Sequence, residues 1–107
     1  MHDRIYAYLV EFVVEPDDGQ FYAHCPGLGG VHESGKTADQ ALANAYDAFL
    51  SIVEARLARG EAIPEGPHLV ALRALPELPL EGIKLRKEGQ EGRDQVQIRE
   101  LLVPVPA

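Results

Sequence analysis

Residues 38 to 59 contain neither glycine nor proline, and no other stretch of the 107-residue chain runs as far without a breaker. Ala38, Ala41, Leu42, Ala45, Ala48, Phe49, Ile52, Val53 and Leu57 recur there at i, i+3, i+4 and i+7, the apolar stripe of an amphipathic helix. Thr37 stands at the N-cap position with Gln40 three residues on, the spacing of a capping box. Gly60 takes the C′ position, and Arg56 and Arg59 fall in the last turn, where the macrodipole favours cations. One long helix is therefore predicted over 38–59. A single helix cannot bury its own stripe, so the remaining chain must supply a sheet for it to cover.

The chain ahead of the helix reads as strands. Residues 4 to 15 are rich in Tyr, Val, Ile and Phe. One face carries Tyr6, Tyr8, Val10, Phe12 and Val14; the other carries Ile5, Ala7, Leu9, Glu11 and Val13. Both faces are apolar, which a half-solvated strand does not need. The helix covers one, so the other must meet the C-terminal segment or a second subunit. Pro16-Asp17-Asp18-Gly19 reads as a turn, with Gly supplying φ > 0. A second strand is predicted from Gln20 to Cys25, a loop at Pro26-Gly27-Leu28-Gly29-Gly30, and a third short strand from Val31 to Ser34. After the helix, Ile63-Pro64-Glu65-Gly66-Pro67 stops helical continuation, and His68 to Leu75 reads as a fourth strand ended by Pro76 and Pro79. Between Asp94 and Val103, Val96 and Ile98 fit a strand while Ile98, Leu101, Leu102 and Val105 fit a helix; an added strand is the reading adopted. The expected fold is thus α+β: an antiparallel sheet in the order β-β-β-α-β, one long helix on one face, and a C-terminal extension. Residues 1–76 form the predicted domain and 77–107 the extension, in which the Gly- and Pro-broken pattern offers no pair of helices for a DNA-binding module.

Charge narrows the partners. The chain carries a formal net charge of -7, and all of it lies in residues 1–66, where eleven acids face four bases; residues 67–107 hold six of each. An acidic body repels phosphate backbones and favours a basic partner, so direct nucleic-acid binding is not expected. A single cysteine excludes an internal disulfide and fits a reducing compartment. No stretch reads as a membrane span or a signal sequence, so the expected location is the cytoplasm.

Candidate chemistry is sparse. His24 and His32 are expected to face each other across the second and third strands, with Cys25 on the opposite face because side chains alternate. At most two of the three converge, too few for a metal site, and no metal or cofactor is expected. Asp17 and Asp18 have turn roles, Ser34 has no histidine at a readable spacing, and the Gly27–Gly35 run lacks both the G-x-G-x-x-G and P-loop patterns. Glu11 interrupts an apolar strand face, and an interface ion pair or an edge charge is its expected role. Residues Tyr6, Tyr8, Val10, Glu11, Phe12 and Leu28 are the candidate partner or oligomer interface, with no catalytic residue assigned.

An ordered set of features spans residues 6 to 67: an opening strand Tyr8–Val14, the Asp17-Asp18-Gly19 turn, Phe21-Tyr22 and Pro26, then Leu28 and Gly30 in the loop. Gly35-Lys36-Thr37 opens the helix, Ala41 and Asn44-Ala45 lie on it, and Gly60-Glu61-Ala62-Ile63-Pro64 follows it. This set resembles the HicB-like antitoxin family, in its stand-alone form without a DNA-binding module. The resemblance implies a partial RNase H-type fold and a non-catalytic role in a toxin–antitoxin system, binding and blocking a small basic HicA-type mRNA endonuclease. It also implies a homo-oligomer, a dimer or tetramer. RNase H chemistry needs several carboxylates around Mg²⁺, and only Glu11 sits within a first-strand face. A degenerate nuclease and an orphan oligomeric ligand-binding or scaffold protein are the alternative readings.

Overall fold

The computed structural model describes residues 5–73 and 96–105. Strands β1 (Ala7–Asp17), β2 (Gln20–His24) and β3 (His32–Gly35) precede helix α1 (Ala38–Ala58), and β4 (Leu69–Leu72) and β5 (Gln97–Pro104) follow it. All five strands belong to one sheet whose pairings are antiparallel, with α1 packed on it, so the α+β fold is as expected. The added C-terminal strand is real, although it is no appendage: β5 pairs with β1 along Ala7–Val14. The predicted features between Leu75 and Asp94 lie outside the described residues.

Strand β1 organises the sheet. Its Ala7–Val14 stretch pairs with β5, while Val13–Asp17 pairs with β2 and Ala7–Val10 with β4. A strand has two edges, so overlapping pairings must lie on opposite sides. β5 therefore occupies one edge of β1, and β2 and β4 share the other, end to end. The join shows in a close approach: a Cβ placed on Gly27, just after β2, would lie 2.7 Å from Cβ of Leu69, so glycine is required there.

The hairpin is tighter than the Pro-Asp-Asp-Gly reading. β1 continues through Pro16 and Asp17, and the turn is Asp18-Gly19 alone, with φ of 50° and 83°. Positive φ at both positions is the primed turn whose twist suits a two-residue hairpin. Pro16 is tolerated inside the strand because β5 pairing ends at Val14, so its missing N–H faces no partner strand.

The helix caps follow the sequence with one variation. The Thr37 hydroxyl accepts the Gln40 N–H at 3.0 Å, but Gln40 Oε1 accepts the N–H of Lys36 (2.7 Å) rather than that of Thr37. At the other end Glu61 N–H donates to Arg56 O (2.8 Å) and Gly60 N–H to Leu57 O (3.0 Å), with Gly60 at φ 76°. That is the complete Schellman pattern. The buried stripe is narrower than the apolar one: Ala41, Ala45, Phe49 and Val53, spaced by four, are buried, while Leu57 is 41% exposed. Small alanines let the helix lie close to the sheet, and Gly35 completes that approach. A Cβ there would lie 2.5 Å from the Ala41 nitrogen.

Candidate functional site: the open face of the sheet

The helix decides which face of β1 is available. It packs on the even-numbered positions: Tyr8, Val10, Phe12 and Val14 are at most 2% exposed, and Phe49 meets the rings of Tyr8 and Phe12 edge-on at 6.5 and 6.0 Å. The placement of Tyr8, Val10, Phe12 and Leu28 on a partner interface is therefore corrected. All four lie in the subunit core, where no partner can reach them. Tyr6 remains partly exposed at 37%, and Glu11 alone of the six candidates lies on the opposite face.

That opposite face is built by the odd positions of β1 and the residues registered beside them. Leu9 lies between Val70 of β4 and Leu102 of β5. Ala7 lies between Leu72 and Pro104, and Val13 between His24 of β2 and Ile98 of β5. The aliphatic side chains are half-buried or exposed, and among the described elements only strands contact strands here, α1 being on the other side. Such a surface differs from the polar outer face that a solvated antiparallel sheet presents. A contiguous apolar patch of this kind marks an interaction site more often than chance exposure does.

An acidic row crosses the middle of the patch. Glu11 is registered directly opposite Glu100 on β5. Like charges directly opposite on neighbouring strands destabilise a sheet, so this pair has to be held by something else. On one side the holder is His68, whose Nδ1 lies 3.0 Å from Glu11 Oε1, while the backbone N–H of Glu11 donates to His68 O at 3.0 Å. Within the chain, then, the partner of Glu11 is His68.

Beyond Val13 the face turns aromatic. His24 and His32 are registered opposite each other and stack at 5.9 Å with 17° between planes, and Tyr22 lies 6.3 Å from His32. Cys25 points the other way, into the core, and burial pushes its thiol pKa up, so it is held as the neutral thiol. The alternation argument is met: two imidazoles converge and the sulfur does not. Among the described residues no group of three or more His, Cys, Asp or Glu is placed to hold a metal ion. Asp17 and Asp18 line a shallow depression at the hairpin tip with Gln20, Tyr22 and Ser34, and the Ser34 carbonyl accepts from Asn44 Nδ2 at 2.9 Å.

The arrangement is suited to binding: rows of aliphatic side chains divided by acids and flanked by stacked rings. Sequence reading missed Val70, Leu72, Ile98, Glu100 and Leu102 as members of this face. The signal was present as period-two alternation in both segments, but without the register nothing said which alternate set turned away from the helix.

Among the described residues no helix is long and apolar enough to cross a membrane. No family model and no solved structure matches the chain. A curated relative does: the UPF0150 protein ssr1765 of Synechocystis sp. (strain ATCC 27184 / PCC 6803 / Kazusa) is 34% identical over 62 residues, 58% of this chain and 77% of the relative. On that match, with most of the relative covered, the chain belongs to the UPF0150 family.

Proposed function

We propose that this protein is a non-catalytic protein-binding module that acts as a HicB-like antitoxin, covering a small basic HicA-type mRNA endonuclease with the open face of its sheet. The observation that carries the reading is the aliphatic open face around Leu9, Val70 and Leu102, crossed by the Glu11–Glu100 row. Aliphatic rows supply the buried centre of an interface, and the acids select a partner that brings cations. The net charge of -7 acts in the same direction at longer range, steering a basic partner and disfavouring RNA itself. Membership of UPF0150 agrees with the HicB-like resemblance of residues 6–67 without adding a partner to it.

The test is co-expression with a HicA-type endonuclease encoded beside this protein's gene. Cells carrying both grow and the two proteins co-purify near one-to-one; cells carrying Leu9→Glu/Leu102→Glu in place of the wild type lose growth and complex together. Mg²⁺-dependent RNA cleavage by the purified chain itself, abolished by Glu11→Gln, would replace this reading with a nuclease.

A further inference from the structure

His24 and His32 stand on β2 and β3, across β1 from β5, and the hairpin fixes how they meet. Asp17 and Gln20 flank a two-residue turn and exchange backbone bonds, so the even residues of β2 bond to β1. The odd residues of β2 then bond to β3. Ala23 and Glu33 are therefore a hydrogen-bonded pair, and His24 and His32 a non-hydrogen-bonded one. The Ser34 carbonyl, on the same phase as His32, turns away from β2 and accepts from Asn44. Non-hydrogen-bonded positions bring Cα atoms to about 4.5 Å and side chains closest together, and the two rings stand 5.9 Å apart, only 17° from parallel. Among the described residues neither imidazole forms a hydrogen bond or an ion pair, whereas Nδ1 of His68 is engaged by Glu11. Both rings keep a nitrogen lone pair to offer, His32 from an exposed position and His24 from a half-buried one.

We propose that His24 and His32 together chelate a late first-row divalent metal ion, copper(II) most tightly, on the surface of the β2–β3 pair. Imidazole suits copper, nickel and zinc, and affinity rises through nickel to copper and falls again at zinc. Two nitrogens bound at about 2.0–2.1 Å on neighbouring positions of one ion lie about 3 Å apart. Rotation of two side chains that already stand nearly parallel brings their ring nitrogens to that separation with no change in strand pairing. Two imidazoles fall short of the ligand count of a structural or catalytic zinc site. They hold instead an ion whose other positions carry water, which the tetragonal geometry of copper(II) accepts. Magnesium and calcium take oxygen donors and are not ligands for this pair. Each imidazole binds in its neutral form, so the ion competes with protons for the site. Because the two donors are neighbours only when β2 and β3 are paired, the ion binds the folded chain and stabilises it. The site uses neither the aliphatic rows nor Glu11, so it is independent of the antitoxin reading.

The test is calorimetric titration of the untagged full-length chain with copper(II), in a His2→Asn background so that a histidine beside the N-terminus does not chelate the ion. A single ion binds per chain, and the electron paramagnetic spectrum carries the splitting of two nitrogens. Tyrosine emission falls with binding, because Tyr22 lies 6.3 Å from His32 and the chain has no tryptophan. His24→Asn and His32→Asn each lower the affinity about a hundredfold or more, since linked donors exceed either one alone by about 10²–10⁴, and neither changes the far-UV spectrum. His68→Asn and Asp17→Asn/Asp18→Asn bind as the parent does. Copper(II) raises the melting temperature of the parent and not that of the His24→Asn or His32→Asn variant. The proposal is overturned if either of those two variants binds copper(II) as tightly as the parent, if His68→Asn weakens binding equally, or if excess magnesium displaces the ion.

Discussion

Replacing Phe49 by alanine probes the packing that decides which face is open. Phe49 is fully buried at 0% exposure and contacts Tyr8 and Phe12 edge-on, at interplanar angles of 77° and 72°. Truncating a buried phenylalanine to alanine removes about 3–5 kcal/mol. Edge-to-face ring pairs add about 0.5–1.5 kcal/mol beyond area burial, and two of them are lost together, so the upper part of that range, about 4–5 kcal/mol, is expected. With an m-value of about 1.5–2 kcal/mol/M, the urea midpoint falls by about 2–3 M. Leu57→Ala is the control, drawn from the same apolar stripe but 41% exposed, and loses less than about 1 kcal/mol. Equilibrium urea unfolding followed by circular dichroism measures both. A loss under about 1 kcal/mol for Phe49→Ala, or equal losses for the two variants, would mean that α1 does not pack on the Tyr8–Phe12 face and that the open face has been misassigned.

Thr37→Ala removes the hydroxyl that caps Gln40 N–H and lowers stability by about 1 kcal/mol, measured in the same urea assay. Gly35→Ala drives a methyl group against the Ala41 backbone and lowers stability by about 1–3 kcal/mol, whereas Gly29→Ala, with open space around it, is tolerated. The alkaline limb of stability is set by groups whose folded pKa is raised: Cys25 by burial, and Tyr8 by burial first and Glu65 second. Their contribution is complete below the ordinary thiol and phenol values of about 8.5 and 10, and is lost as pH climbs through the higher folded values. Thermal melts from pH 7 to 11 should fall only at the upper end, and native Cys25 should resist alkylation at pH 8 until the chain is unfolded.

Much of the fold was legible because local signals agreed. The capped helix, the Asp-Gly hairpin and the strand character of 97–104 each rest on short-range chemistry: an N-cap hydroxyl, positive φ, period-two alternation. Which face of β1 the helix takes was not legible, since Tyr8-Val10-Phe12 and Ala7-Leu9-Val13 are both apolar, and the choice depends on the register of four other elements. The candidate interface failed for that reason. Four of its six residues sit in the core: Tyr8, Val10 and Phe12 on the β1 face that small alanines let α1 approach, and Leu28 in the loop after β2. Glu11 was recognisable as an anomaly in its strand, but His68 and Glu100 are its neighbours only through β4 and β5, 57 and 89 residues further along the chain.

The central claim is that the open face binds a basic protein. The most direct measurement is a quantitative pull-down from the native host with tagged wild type and tagged Leu9→Glu/Leu102→Glu in parallel, read by mass spectrometry and backed by melting curves of both baits. The account predicts one small basic protein recovered near one-to-one by the wild type and lost by the equally folded variant, with RNA cleavage by that protein restored once the wild type is removed. Recovery of the bait alone, or of the same protein by both baits, contradicts it.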